Sequence, residues 1–334
     1  TALILQLREA WDIVEDKTRR LRKILAGKAR EYRSLVMIGR TNDQQAMPIT
    51  LGFKISTWID ELDRCLERMA QGRERIFVGQ FAGAVGTMAS LEQNGPRVQK
   101  LLFERLNLAA PKISWFATRD RLAEFTFDLA MICGAVGRMG NEVYNEQRSE
   151  VNELAEGYAQ GKVGSSTMPH KRNPFLPGRL AGRGRIAGTL VMRAMQCLEN
   201  TNERDCRTLC IEPYHLKEIC CLADGTLDIA LELFGQMEVH EDQIGHNLEI
   251  LQGLIYSEAL MMRLAEVYGR MEAHELVYEL AMAAIGQKRQ LKELALADSR
   301  VTAHLTEEEL ENLMRPEHYT GLAEHFVDQV AGTA

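Results

Sequence analysis

A chain of 334 residues with 47 acidic and 40 basic side chains carries a formal net charge of −7, which excludes the basic excess of a nucleic-acid-binding surface. Its 46% hydrophobic and 26% charged content is that of a globular protein, not a disordered one, and no apolar run approaches the ~18–20 residues of a membrane span. Seven cysteines, an odd number without a CxxC pair, read as buried reduced thiols of a cytoplasmic protein; neither a disulfide framework nor a metal site is expected.

Aromatic residues make up 6% of the chain and prolines number only 8, so long uninterrupted helices are favoured over strands. The chain opens at Thr1 with neither a cap nor a targeting segment. Between the prolines, helices are predicted over 2–33, 49–79, 118–156, 178–204 and 213–236, with shorter ones after 242. The first is the clearest. Leu7, Trp11, Val14, Thr18, Leu21 and Leu25 recur at 4-3-4-3-4 spacing, a seam close to that of a coiled coil, with charged residues between them. Stripes of the same kind run through Ile55, Trp58, Ile59, Leu62, Leu66 and Met69, then through Leu122, Phe125, Leu129, Ile132, Val136 and Met139. Gly134, Gly137, Gly182, Gly184 and Gly188 lie inside predicted helices, where Gly costs about 1 kcal/mol against Ala. Their presence points to helices in close approach. The apolar pattern breaks near 237–247, and Thr306 to Glu309 reads as a capping box. This divides the chain into a helix-bundle domain, 1–240, and a helical C-terminal domain, 241–334.

One segment departs from the helical pattern. Gly157 to Pro174 (GYAQGKVGSSTMPHKRNP) combines glycines, hydroxyls and cationic side chains between two long helices. Free backbone N–H groups, hydroxyls and fixed positive charge suit an anion such as a carboxylate or phosphate. An incidentally charged surface loop is the alternative, and composition does not separate the two.

The stretch GSSTMPHKRNP, 164–174, resembles the signature loop of the fumarase/aspartase superfamily, Gly-Ser-Ser-x-Met-Pro-x-Lys-x-Asn-Pro, at every fixed position. Ile38 to Gln44 (IGRTNDQ) resembles a second family region, Arg-Thr-His-x-Gln, and Gly83 to Thr87, Arg119 to Arg121, Glu150 to Glu153 and Gln252 to Ile255 are similar to further family patterns. Within the superfamily the likeness is greatest to the 3-carboxy-cis,cis-muconate cycloisomerases. It is carried by LILQLREA at the start, Ile219 to Leu222, and Arg315 to Tyr319; adenylosuccinate lyases come next.

The resemblance implies an all-α fold: a long central helix bundle followed by a small helical C-terminal domain. It implies a cytoplasmic homotetramer with active sites shared between three subunits. The family needs no cofactor or metal. Thr1 corresponds to the point just after the family's first conserved region, so the family's N-terminal domain is expected to be absent from this chain. The implied reaction on a small polycarboxylate begins when a base takes the proton next to a carboxylate; a β-leaving group then departs, or the reverse addition closes a lactone. By resemblance, Ser165 is the base and Lys171 the partner that stabilises its alkoxide and binds the substrate carboxylate. Ser166, Met168 and Asn173 of the same loop, with Thr41, Asn42 and Gln44 of the second region, would bind substrate.

Two positions depart from the family together. The relay His is replaced by Asn42, which exchanges no proton near pH 7, and its usual Glu partner by Gly178. A lactone opening expels a carboxylate, which needs little protonation, so the paired change favours the cycloisomerase branch and a role in aromatic catabolism. His215, three residues after Glu212, is a possible substitute acid, with packing in the bundle as the alternative. A fumarate-releasing lyase is the second reading. A non-catalytic structural member is the third, and the intact Ser165, Lys171 and Asn173 argue against it.

Overall fold

The structure is a computed structural model that describes residues 1–158, 167–168 and 170–332. The fold is all-α. Its long helices are α1 (Ala2–Glu31), α2 (Leu51–Ile76), α3 (Gly95–Leu106), α4 (Asp120–Glu146), α5 (Phe175–Gln196) and α6 (Cys206–Gln236). Shorter helices follow: α7 (Glu241–Glu249), α8 (Ser257–Tyr268), α9 (Arg270–Gln287), α10 (Leu291–Ala297), α11 (Ser299–Thr302), α12 (Glu307–Leu313) and α13 (Ala323–Ala331). A hairpin, β1 (Val36–Thr41) and β2 (Gln44–Thr50), lies between α1 and α2 in sequence.

The chain divides into two compact units. The first comprises Thr1–Ile24, Trp58–Asn145 and Glu156–Glu238; the second comprises Leu25–Thr57, Glu146–Ala155 and Val239–Ala334. Both α1 and α2 contribute residues to each.

Every residue of the three predicted stripes is buried, from Leu7 in α1 to Met139 in α4. In the first unit Trp11 meets Phe77 edge-on at 5.5 Å and Phe125 at 5.6 Å, and Trp58 meets Phe234 at 5.6 Å between ring centroids. Fully burying an apolar side chain of this size stabilises by about 1.5–3 kcal/mol, so the stripes are what commit these segments to helices. The small residues divide by role. A Cβ on Gly137 would lie 2.9 Å from the Cα of Gly184, and one on Gly140 would lie 2.5 Å from Leu180 Cβ, so α4 and α5 touch backbone to backbone here. A Cβ added at Gly134, Gly182 or Gly188 would meet nothing within 4 Å in this chain, so a side chain there would not be blocked by a neighbouring helix.

The elements differ from the sequence expectation at several points, among them the end of α5, at Gln196 instead of 204. Helix α4 stops at Glu146, ten residues before the predicted end at 156; Asn152 then turns the chain with φ +49°. Helix α6 starts at Cys206, because the Asp205 side chain accepts from the Arg207 N–H and caps it; Pro213 is carried inside the helix instead of opening it. Helix α3 was not foreseen, although Pro96 in its first turn and Asn107 in the left-handed conformation at its end are ordinary start and stop signals. Nor are all the thiols buried: Cys65, Cys133 and Cys197 are, whereas Cys206, Cys210 and Cys221 are exposed, and all seven are free.

In the second unit α8 to α12 share a core of Leu260, Leu264, Leu276, Leu291 and their neighbours. The Thr306–Glu309 capping box forms as expected, with Glu309 N–H to Thr306 Oγ1 at 3.2 Å and Thr306 N–H to Glu309 Oε2 at 2.8 Å. Ile38 of β1 packs with Leu248, Ile255 and Tyr256, seating the base of the hairpin on α7 and the turn that follows. Among the described residues no helix is long and apolar enough to cross a membrane, and no group of three or more His, Cys, Asp or Glu side chains is placed to hold a metal ion.

Candidate active site

The residues singled out by sequence fall in both units. Thr41, Asn42 and Gln44 sit together at the tip of the β1–β2 hairpin in the second unit, and all three are exposed. Strand pairing brings Thr41 opposite Gln44 and Arg40 opposite Gln45. Asn42 (φ +51°) and Asp43 (φ +61°) form a two-residue turn with both central residues left-handed, the turn type whose twist matches the strands. Asn and Asp adopt that region more readily than most residues, which is why this dipeptide can close the hairpin.

The base of the tip is a buried charge network. The Arg40 guanidinium donates to both oxygens of Glu153 at 2.8 and 2.6 Å and to Glu146 at 3.2 Å. Lys54 Nζ donates to the other Glu146 oxygen at 2.8 Å. Asn247 donates to Glu153 at 2.7 Å and to the Val151 carbonyl at 2.8 Å, and Gln45 donates to the Asn247 carbonyl at 3.1 Å. Glu153 is fully buried. Burial pushes its carboxyl up, but hydrogen bonds from Arg40, Glu146 and Asn247 outweigh that and hold it below the usual range. Glu146 goes the other way: burial, with the charge of Glu153, raises it to about 7 against the pull of Lys54.

The described part of the signature loop lies in the first unit. Met168 and Lys171 are exposed, and Asn173 is half-buried. The Lys171 N–H donates to the Met168 carbonyl at 3.0 Å, and the Phe175 N–H to the Asn173 carbonyl at 2.9 Å, where α5 begins. The buried Glu156 carboxylate accepts from the Leu176 N–H at 2.6 Å, meeting the positive end of α5. Arg172 stacks on the Tyr158 ring at 4.4 Å and donates to Glu238 at 3.2 Å, and Glu238 also accepts from the Tyr158 N–H at 3.0 Å. Ser165 and Ser166 lie outside the described residues. The sequence reading gave Glu156, Tyr158, Arg172 and Glu238 no part. The stacked Arg172 is next to Lys171 in the motif, but nothing local marks its partners.

His215 sits in the interior of the first unit, 1% exposed. Its Nδ1 faces Thr126 Oγ1 at 3.3 Å and its Nε2 faces Cys197 Sγ at 3.7 Å. Burial, helped by Arg193, lowers its pKa, so the ring is neutral at pH 7. Glu212 does not pair with it; both Glu212 oxygens are held by the buried Arg119 guanidinium, which lies 5.4 Å over the Trp115 ring.

The exposed Lys171 ammonium in the first unit, and separately the exposed hydroxyl and amides of the hairpin tip in the second, are groups that bind small carboxylates, and comparison with known proteins decides the family. Residues 1–182 match the Lyase family model, and residues 253–330 match that of the adenylosuccinate lyase C-terminus. The chain belongs to the fumarase/aspartase superfamily. It is therefore an enzyme of the fumarate-lyase type, and its helix bundle is that superfamily's fold. It is 39% identical over 333 residues to an N-acetyl-S-(2-succino)cysteine lyase of Dickeya dadantii, covering 99% of this chain and 73% of that one. An adenylosuccinate lyase of Methanocaldococcus jannaschii is 40% identical over 336 residues, covering 100% and 73% respectively. Among solved structures, a 3-carboxy-cis,cis-muconate lactonizing enzyme from Pseudomonas putida superposes with a TM-score of 0.92 at 34% identity, covering 99% of this chain and 73% of that one. The superfamily chain described here thus spans about three-quarters of each of these relatives.

Proposed function

We propose that this chain forms the catalytic bundle of a cytoplasmic homotetrameric 3-carboxymuconate-cycloisomerase-like enzyme of aromatic catabolism, with sites shared between three subunits and no cofactor. The observation that carries the reading is the residue at the tip of the hairpin. Asn42 stands where the superfamily places its relay His, and its amide exchanges no proton near pH 7. In the lactone-opening direction Ser165 takes the proton next to a carboxylate. The electron pair moves into that carboxylate, then returns to form the C=C bond as the ring C–O bond breaks and its oxygen leaves as a carboxylate. No general acid is needed for that departure. Lys171 and Asn173 hold the carboxylate on which charge accumulates, the interaction that lowers the barrier, and Thr41 and Gln44 bind substrate from another subunit. Ser166 and Met168 of the same loop, with Asn42 of the hairpin, also bind substrate.

The second reading, a fumarate-releasing lyase, is favoured by the 39–40% identity to lyases of succinylated substrates. An absorbance assay separates the two, following the dienoate and fumarate bands with 3-carboxymuconate, adenylosuccinate and N-acetyl-S-(2-succino)cysteine. The expected result is loss of the dienoate band from 3-carboxymuconate, reduced about 10²–10⁴-fold in Ser165→Ala. Fumarate formed rapidly from a succinylated substrate, with 3-carboxymuconate untouched, overturns the cycloisomerase reading. An unimpaired Ser165→Ala overturns the assignment of the base.

A further inference from the structure

The hairpin that presents Thr41 and Gln44 has only two strands, and an isolated two-stranded hairpin is marginally stable in water. What fixes its tip lies directly behind the turn. Arg40 and Gln45 face each other across the strands, one residue behind Thr41 and Gln44. Their side chains run to two different residues that are themselves bonded to each other: Arg40 to the Glu153 carboxylate, and Gln45 to the Asn247 carbonyl. Asn247 closes the circuit by donating to Glu153 at 2.7 Å. The two strands are thus joined through one carboxylate and one amide, in a loop of hydrogen bonds that straddles the pair. The Glu146 carboxylate and Lys54 balance the charge around it.

We propose that Arg40 is a positioning residue, which through Glu153, Asn247 and Gln45 sets the placement of the Thr41–Gln44 tip against the substrate. This rests on the reading of Thr41 and Gln44 as substrate-binding residues. A buried ion pair is weak evidence for stability, but a planar fork on both oxygens of one carboxylate fixes direction as well as distance. Lysine keeps the charge and loses the fork. A displacement of about 1 Å at a substrate-positioning group can cost about 10²-fold in rate.

The test is steady-state kinetics of the assembled enzyme with the substrate found in the panel, with melting temperature as the control. Arg40→Lys should lower kcat/KM about 10–100-fold with little change in melting temperature. Gln45→Met, which removes one anchor and no charge, should lower it about 3–10-fold. The deciding measurement repeats Arg40→Lys in a Thr41→Ala, Gln44→Ala background, where the tip has nothing left to position; there it should cost less than about 3-fold. A full additional loss in that background overturns the proposal, because Arg40 then acts elsewhere. So does a silent Arg40→Lys beside an impaired Thr41→Ala. If Thr41→Ala and Gln44→Ala are themselves silent, the reading of the tip as a binding element fails, and the proposal falls with it.

Discussion

Asp128 offers the clearest quantitative test of the bundle. It lies on α4 at 5% exposure, and its Oδ2 has no hydrogen-bond partner among the described residues. Gly72 of α2 faces it so closely that a Cβ there would lie 3.1 Å from Oδ2. Burial first, then the charge of Glu124, raises the Asp128 carboxyl to about 6, against the opposing pull of Arg68 and Arg75. The ordinary value is 3.8, so the folded state holds a proton that the unfolded chain has released between these pH values. Stability therefore falls as pH rises through that window, and the whole cost is carried above it. At about 1.4 kcal/mol per unit the ceiling is about 3 kcal/mol. Asp128→Asn removes the charge but leaves an amide in the same tight place. The expected gain is thus about 1–2 kcal/mol at pH 8, shrinking toward zero by pH 4. Urea unfolding of both proteins at pH 4.5, 6 and 8 measures the difference, and subtracting parent from variant cancels the other titrating groups. A pH-independent difference, or a variant less stable at pH 8, refutes the reasoning.

Glu212→Gln should destabilise by about 3–5 kcal/mol in the same assay, because the Arg119 guanidinium is left buried with its charge unpaired. Arg119→Met added to it should recover most of the loss, whereas a single-variant effect below about 1 kcal/mol would mean the pair is not isolated from water. Gly137→Ala should cost about 1–3 kcal/mol by forcing α4 and α5 apart at Gly184, despite the better helix propensity of Ala; an unchanged or raised melting temperature would show that the contact yields without strain.

What the sequence made legible was whatever recurs over short distances. The 4-3-4 stripes located α1, α2 and α4 because each turn of helix repeats the same apolar choice, and burial followed. The signature loop and the Arg-Thr-x-x-Gln segment located the candidate site residues because the chemistry is written in consecutive positions. The hairpin was missed: Pro48 lies inside β2, where it argues against a strand, and Asn42-Asp43 is a weaker turn signal than Asn-Gly. The end of α4 was missed because residues 147–156 look helical until Glu153 is known to serve Arg40, 113 positions away in the chain. The Asn247 link to Glu153 spans 94 positions and has no local trace. Pro213 misled because the Asp205 cap lies upstream of it.

The left-handed backbone at Asn42 has an evolutionary consequence. A position with φ +51° admits few side chains without strain, and Asn, Asp and His are the non-glycine residues most enriched there. On the proposed reading, in which Asn42 stands where the superfamily has its relay His, the two residues are neighbours in a very short alphabet. Exchanging one for the other would change the proton chemistry of the tip while leaving the turn that holds it intact. Divergence between branches of these enzymes has a low-strain path at this residue, whereas a β-branched or bulky replacement would have to remake the hairpin first.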